Sequence, residues 1–222
     1  MVYCREECGN VLADRLEATL SLFFVLKGAA AVKALEEKIV KEGEVLPGDI
    51  LKVGSFLNHQ LDASFIMEMG REIKRLFAQD NITKILTIET SGIPIAFAAA
   101  AAMELPMVFA KKNRTTNLSG EQYTAKVHSY THGTDYHMVV SKDYLNAGDR
   151  VLLVDDFLAN GAALAGLMDI VGQAGAVTVG ASCAIEKGFQ KGGDALRAKG
   201  LRVESLAVIE SMENGRLIFR KP

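Results

Sequence analysis

The chain has 222 residues, of which 49% are hydrophobic and 23% are charged, proportions typical of an ordinary globular protein. This length is enough for one α/β domain with short additions. The formal net charge of −2 excludes a global positive field that would draw the chain to nucleic acid or to an anionic membrane.

The N-terminal stretch differs in composition from the rest of the chain. Ala18–Val32 is apolar, yet Lys27 interrupts it and it is too short to span a bilayer. We interpret residues 1–31 as an appended extension, or as the result of a start codon assigned too early, and residues 32–222 as one domain. The three cysteines, Cys4, Cys8 and Cys183, form no dense disulfide framework, which favours a reducing, cytoplasmic compartment.

The first half of the domain predicts helices that alternate with strands. Apolar spacing predicts a helix over Ala31–Gly43, and the segment Ile50–Asp62 is expected to be extended and then irregular. Asp62 is the expected N-cap of the next helix. The following elements are a helix over Ala63–Ala78, a strand over Lys84–Glu89, a helix over Ile93–Leu105 and a strand over Pro106–Lys112.

The second half continues this alternation after a hairpin. The long polar loop Asn113–Gln122 is of a kind that often forms a lid, and alternating residues predict a hairpin over Tyr123–Ser141. The next elements are a nearly all-apolar strand over Arg150–Phe157, a helix over Gly161–Ala174, a strand over Val177–Glu186, a helix over Asp194–Lys199, and strands over Arg202–Glu210 and Arg216–Phe219. This order predicts an α/β fold with a doubly wound, mainly parallel sheet.

Sites in such sheets lie at the carboxyl ends of the strands, where this chain places the loops Glu89–Gly92, Asp155–Ala163 and Glu186–Phe189. In the second loop, Asp155 and Asp156 can accept hydrogen bonds from vicinal hydroxyls. Ala159–Ala163 leads into a helix, whose first N–H groups and dipole favour an anion. Each feature alone also fits a capping aspartate or an ordinary turn, but together they indicate a sugar phosphate.

The stretch VLLVDDFLANGAA at 151–163 resembles the phosphoribosyl-diphosphate (PRPP) signature of the type I phosphoribosyltransferases. Ala159 and Ala163 stand where hydroxyl residues often occur, and Asn160 replaces another small residue, so backbone N–H groups must carry more of the phosphate contact. With SFLNHQ, TIETSGI and IEKGFQ in the same order, the chain is similar to the xanthine phosphoribosyltransferase branch over roughly residues 32–220.

The resemblance implies a type I phosphoribosyltransferase fold with a small hood element. It also implies a reaction that joins a purine to the ribose 5-phosphate of PRPP and releases pyrophosphate. Asp155 and Asp156, the candidate catalytic residues, would bind the ribose hydroxyls. The 5′-phosphate would bind to Ala159, Asn160, Gly161, Ala162 and Ala163, and the pyrophosphate to Glu89, Thr90, Ser91 and Gly92. Mg²⁺ would arrive on the pyrophosphate and need few protein ligands.

The resemblance further implies a base site outside the phosphate loops. Lys187 would donate to an exocyclic purine oxygen, which selects oxo-purines over adenine. Leu51 would pack on the ring face and Asn58 would read its edge. The basic residues Lys111, Lys112 and Arg114 either reach the leaving pyrophosphate or form a solvated run of charge.

Two other functions remain open. Hypoxanthine or guanine transfer on the same fold is separated from xanthine transfer only by the branch resemblance. A PRPP-sensing transcription regulator would need a basic DNA-binding element ahead of the domain, and residues 1–31 are too short and not basic enough. Members of the branch are typically homodimers, and the hairpin Tyr123–Ser141 is a candidate contact.

Overall fold

The computed structural model describes residues 32–112, 120–129 and 134–221. The predicted extension at residues 1–31, Arg114 with most of the polar loop, and the tip of the predicted hairpin lie outside the described residues. The domain boundary at residue 32 therefore stays a prediction.

The predicted elements appear in the predicted order, with ends shifted by a residue or two, whereas the strand at Glu44–Leu46 was not predicted. The helices are α1 (32–42), α2 (Ala63–Leu76), α3 (Gly92–Met103), α4 (Ala162–Gln173) and α5 (Gly192–Ala198). The strands are β1 (Glu44–Leu46), β2 (Ile50–Lys52), β3 (Lys84–Ile88), β4 (Met107–Lys112), β5 (Gln122–Ser129), β6 (Thr134–Ser141), β7 (Arg150–Leu158), β8 (Val177–Lys187), β9 (Val203–Ser211) and β10 (Ile218–Phe219). Asp62 caps α2 as predicted, because its Oδ1 accepts from the Phe65 N–H at 3.2 Å.

An eight-stranded sheet forms the centre of the fold, with the strand order β10-β9-β8-β7-β3-β4-β6-β5. The strands β9, β8, β7, β3 and β4 are parallel, and β10, β6 and β5 add antiparallel pairs at the two edges. Parallel strands need crossover connections, which here are mostly helical. The predicted doubly wound, mainly parallel sheet is confirmed.

Helices cover both faces of the sheet and divide the core in two. α2 and α3 pack on one face, where α3 contributes a row of buried alanines, and α4 packs on the other. Along β7, Leu152 and Val154 belong to the first layer, whereas Val151 and Leu153 belong to the second. This alternation explains why β7 is apolar from Val151 to Val154, since both faces of the strand are covered there.

The hood consists of β1 and of the segment that was predicted as extended and then irregular. β1 and β2 make an antiparallel hairpin outside the main sheet, and a single π-helical turn follows at Gly54–Asn58. Asp49 in the hairpin turn has a left-handed backbone, with φ 60°. Phe56 and Leu57 are fully buried in the α2–α3 layer, so they fasten the π-helical turn to the main domain.

β5 and β6 form the predicted hairpin and extend the sheet beyond β4. Ala125, Val127 and Met138 are buried on the side where α4 packs. One face of the hairpin is therefore part of this chain's own core. Among the described residues, no helix has both the length and the apolar character needed to cross a membrane.

Candidate active site

The acid pair lies on β7 beyond the last residue that pairs with β3. The ladder between these strands ends at Leu153, whereas β7 stays paired with β8 as far as Leu158. β7 therefore runs past its neighbour at the carboxyl end of the sheet. Asp155 and Asp156 lie on this overhanging part, which is where doubly wound folds place their ligands.

The two acids have unequal surroundings. Asp155 is 5% exposed, and Asp156 is more open to solvent. The N–H of Asp156 donates to Asp155 Oδ1 at 3.0 Å. Burial, together with the charge of Asp156, raises the pKa of Asp155 well above its usual range, and the charge of Lys112 offsets only part of this effect. The Asp155 carboxylate would therefore gain strongly from new hydrogen-bond donors, such as the hydroxyls of a ribose.

The predicted phosphate loop leads from β7 into α4. Gly161 has a left-handed φ of 83°, and α4 starts at Ala162, so Ala162 and Ala163 form its first turn. Asn160 Oδ1 accepts from the Ala162 N–H at 3.0 Å and so takes up one N–H of this turn. In the described part of the chain, the N–H groups of Ala163 and Leu164 donate to no acceptor, and with the helix dipole they suit an anion.

The first residue of α5 contacts the loop between β7 and α4. The N–H of Gly192 donates to the Ala159 carbonyl at 3.1 Å. A side chain at Gly192 would overlap the Ala159 oxygen and would lie 2.5 Å from the Gly161 nitrogen. The close contact between α5 and this loop therefore requires glycine at position 192. The position of the phosphate loop thus depends on a residue far along the chain.

The second predicted loop lies between β3 and α3. Glu89 Oε1 accepts from the Lys112 N–H at 2.5 Å, so the Glu89 side chain ties the loop to the end of β4. The peptide bond between Glu89 and Thr90 is cis. Thr90 is exposed and Ser91 is partly exposed, so both remain accessible to a ligand.

Gly92 brings this loop against the acid pair. A side chain at this position would overlap Thr87 Oγ1 and would lie 2.6 Å from Asp155 Oδ1. Only a residue without a side chain can therefore start α3 here. The structure thus joins the two loops that the sequence placed at separate strand ends.

Lys112 is the basic residue that the structure places at the acid pair. Its Nζ lies 5.5 Å from the centre of the Tyr136 ring, and its charge acts to lower the pKa of Asp155. Burial and the charge of Asp155 raise the pKa of Tyr136, so this phenol faces the same site. Lys112 can therefore approach an anion bound there, whereas the adjacent Lys111 projects from the opposite face of β4.

Lys187 connects the end of β8 to the hood. Its Nζ donates to the Asp49 carbonyl at 2.7 Å and lies 5.6 Å from the Phe157 ring centre. Burial lowers the pKa of Lys187. The preceding residue, Glu186, is fully buried and accepts two hydrogen bonds from Arg197, at 2.8 and 2.7 Å, which fixes the strand end that carries Lys187.

The other two predicted base contacts belong to the hood. Leu51 is 7% exposed and packs in the core, whereas Asn58 is exposed at the end of the π-helical turn. Both lie in the same small element as Asp49, whose carbonyl binds Lys187. Their contacts with a base stay predictions.

Sequence reasoning missed three residues that shape the site. Thr87 has the pattern of an ordinary strand residue, and Asp49 that of an ordinary turn residue. Gly192 had a weak signal, since two adjacent glycines precede the predicted helix Asp194–Lys199. Within the described residues, no three side chains of His, Cys, Asp or Glu lie together in a way that could hold a metal ion.

Residues 53–205 match the phosphoribosyl transferase domain. The chain belongs to the phosphoribosyltransferase family. This phosphoribosyltransferase is 54% identical over 188 residues to the xanthine phosphoribosyltransferase of Ruminiclostridium cellulolyticum. The match covers 85% of this chain and 99% of that protein. It is also 54% identical over 192 residues to the xanthine phosphoribosyltransferase of Bifidobacterium longum, covering 85% and 100% of the two proteins.

Solved structures have the same fold as this phosphoribosyltransferase. Adenine phosphoribosyltransferase from Trypanosoma brucei, in complex with AMP, pyrophosphate and ribose-5-phosphate, gives a TM-score of 0.66 at 20% identity over 78% of each chain. The adenine enzyme from Rhodothermus marinus gives 0.64 at 23% identity over 82% of this chain and 99% of that one. At these identities the likeness shows the fold, and the predicted type I phosphoribosyltransferase fold is confirmed.

Proposed function

We propose that this phosphoribosyltransferase is a xanthine phosphoribosyltransferase of purine salvage, which converts xanthine and PRPP to xanthosine 5′-monophosphate and pyrophosphate. The observation that carries the proposal is the 54% identity to proteins of that name over 99% and 100% of their lengths. The arrangement of Lys187 beside the hood supports it, because a half-buried ammonium group is a suitable donor to an oxo-purine.

The proposed reaction breaks the bond between the ribose C1′ and the pyrophosphate oxygen and forms a bond from C1′ to a purine nitrogen. The sugar passes through an oxocarbenium-like state, so the protein mainly positions the reactants and stabilises developing charge. Asp155 and Asp156 accept hydrogen bonds from the ribose hydroxyls. The turn Ala159–Ala163 binds the 5′-phosphate, while the loop Glu89–Gly92 and Lys112 contact the pyrophosphate.

Mg²⁺ belongs to the proposal as an ion that arrives with the substrate. Such ions keep several waters and bind substrate phosphates more readily than all-protein cages. Its contribution is to neutralise charge on the departing pyrophosphate.

Turnover of four purines tests the proposal. Purified protein with PRPP and Mg²⁺ receives xanthine, guanine, hypoxanthine or adenine separately, and nucleotide products are separated by chromatography. We expect xanthine to exceed each of the others in kcat/KM by about tenfold or more. The double variant Asp155→Asn/Asp156→Asn is the inactive control. Preference for guanine or hypoxanthine would instead assign that activity, and no product from any purine would contradict the proposal.

We further propose a homodimer. The contact through the hairpin Tyr123–Ser141 stays a prediction, and exposed apolar residues of α3 and β4 provide a second candidate contact. Phe97 on α3 is 60% exposed and Phe109 on β4 is 40% exposed. Met107 packs into the α3 layer, so Phe109, two residues on, lies on the same face of the sheet. We expect Phe97→Lys to shift the mass seen by light scattering towards the monomer, whereas the control Val177→Ser, at an exposed residue of β8, keeps it unchanged. An unaltered mass for the Phe97 variant would contradict the choice of this face.

A cytoplasmic location completes the proposal. PRPP is an intracellular substrate, and the cysteine usage described above fits a reducing compartment.

A further inference from the structure

Two buried hydroxyl oxygens have no hydrogen-bond partner within the described residues, namely Thr87 Oγ1 and Ser182 Oγ. Both residues are 0% exposed. Unpaired buried polar groups are rare because they lose their water contacts without replacement, so each one needs an explanation. Thr87 lies at the active site on β3, whereas Ser182 pairs with Val154 on the adjacent strand β7.

The Thr87 hydroxyl and the Asp155 carboxylate both lie against Gly92. A side chain at Gly92 would overlap Thr87 Oγ1 and would come within 2.6 Å of Asp155 Oδ1, so both oxygens border the space that glycine leaves empty. The ladder between β3 and β7 ends at Leu86 and Leu153, one residue before Thr87 and two residues before Asp155. A side-chain bond between Thr87 and Asp155 would continue the connection of the strands into the site.

The groups around Asp155 explain why its carboxylate would benefit from the Thr87 hydroxyl as a hydrogen-bond donor. Asp155 is faced by Asp156 on its own strand, by Lys112 from β4, by Tyr136 from β6 and by Cys183 from β8. Among these four groups, only Lys112 carries positive charge. A neutral hydroxyl donor would favour the ionised carboxylate without adding another charge to a site that must bind a polyanion.

We propose that Thr87 is a positioning residue: when PRPP is bound, its hydroxyl donates a hydrogen bond to the Asp155 carboxylate and holds it in the orientation that accepts from the ribose hydroxyls. The hydroxyl proton rotates freely, so the proposed bond requires that a carboxylate oxygen of Asp155 turns towards Thr87 Oγ1. Thr87 itself does not touch the substrate. The inference rests on the proposed role of Asp155 in binding PRPP, and it does not depend on which purine is used.

Two variants and one control test the proposal. Thr87→Val keeps the shape and removes the hydroxyl, Thr87→Ser keeps the hydroxyl, and Ser182→Ala removes the other unpaired hydroxyl. PRPP affinity is measured by calorimetry with Mg²⁺ between about pH 5 and pH 8, alongside kcat and the KM for PRPP. We expect Thr87→Val to weaken PRPP binding about tenfold, mainly as a raised KM. Thr87→Ser should stay within about twofold of the unaltered protein, and Ser182→Ala should leave binding unchanged.

The pH profile and the thermal midpoint separate positioning from a structural role. Without the hydroxyl, the Asp155 carboxylate is easier to protonate, so PRPP affinity should start to fall about one pH unit higher in Thr87→Val. The same variant should melt about 2–4 °C higher in the absence of ligand, because a methyl group replaces an unpaired buried hydroxyl. A structural hydroxyl would instead lower the midpoint when it is removed.

The remaining outcomes would overturn the positioning role, the proposed function or both. Unchanged PRPP affinity and pH profile in Thr87→Val, equal losses in Ser182→Ala, or a lower midpoint without rescue by serine would overturn the positioning role. Protein that binds PRPP but forms no xanthosine monophosphate would remove the proposed function and leave this comparison valid. Protein that binds no PRPP would overturn both.

Discussion

Replacing Lys187 by methionine isolates the ammonium group, because methionine keeps an unbranched apolar stem that can pack near Phe157. The ammonium is half-buried and donates to the Asp49 carbonyl at 2.7 Å, so it is held against the hood, where we propose that the base binds. A hydrogen bond from a charged group is worth about 1.5–3 kcal/mol. Its loss should therefore lower kcat/KM for xanthine by about 10- to 150-fold.

The assay measures xanthosine monophosphate formation at limiting xanthine, together with PRPP affinity by calorimetry. We expect Lys187→Met to keep PRPP affinity within about twofold, because Lys187 is proposed to contact the purine and not PRPP. Lys191→Met is the matched control: that side chain is 68% exposed, lies four positions further along and pairs with Asp194 at 3.4 Å. Equal losses of xanthine use and PRPP affinity, or a similar loss in Lys191→Met, would refute the assignment of Lys187 to the base.

Two further predictions concern the acid pair. Gly92→Ala should weaken PRPP binding by about tenfold to a hundredfold, because the new methyl group would displace Asp155. The control Gly172→Ala should leave binding unchanged, because a methyl group there has no atom within 4 Å. Normal PRPP binding by both variants would contradict the role of Gly92. The raised pKa of Asp155 means that its contribution to stability is present below its usual pKa and is lost as pH rises through the raised value. In urea titrations near pH 8, Asp155→Asn should therefore have a higher free energy of unfolding than the unaltered protein. This difference in unfolding free energy should shrink as the pH is lowered, and a difference that grows would contradict the reasoning.

The elements and the main loops were predictable because their signals are local. The apolar run before Asp155, the cap at Asp62 and the glycine at 161 each act through neighbours in sequence, and the rule that sites lie at strand ends then brings Gly92 to the acid pair. The fold of the hood was predictable only as irregular structure, because its turn is held by Phe56 in the core.

The supports of the site were not predictable because they join distant segments without a repeating pattern. The fit of Gly192 against Ala159 and the contact of Thr87 with the space beside Gly92 follow from how helices pack on the sheet. Asn160 illustrates the same limit. The sequence indicated that it replaces a small residue, but only the structure shows that its side chain occupies the Ala162 N–H.

The bond from Lys187 to Asp49 joins positions 138 residues apart in the chain. An ammonium group has three hydrogens, so Nζ can keep the Asp49 carbonyl while it donates to a purine oxygen. If the purine binds as we propose, this bond keeps the hood turn next to the ring. A purine without an oxygen at that point would leave Nζ one acceptor short in a half-buried setting, and this cost would select against adenine.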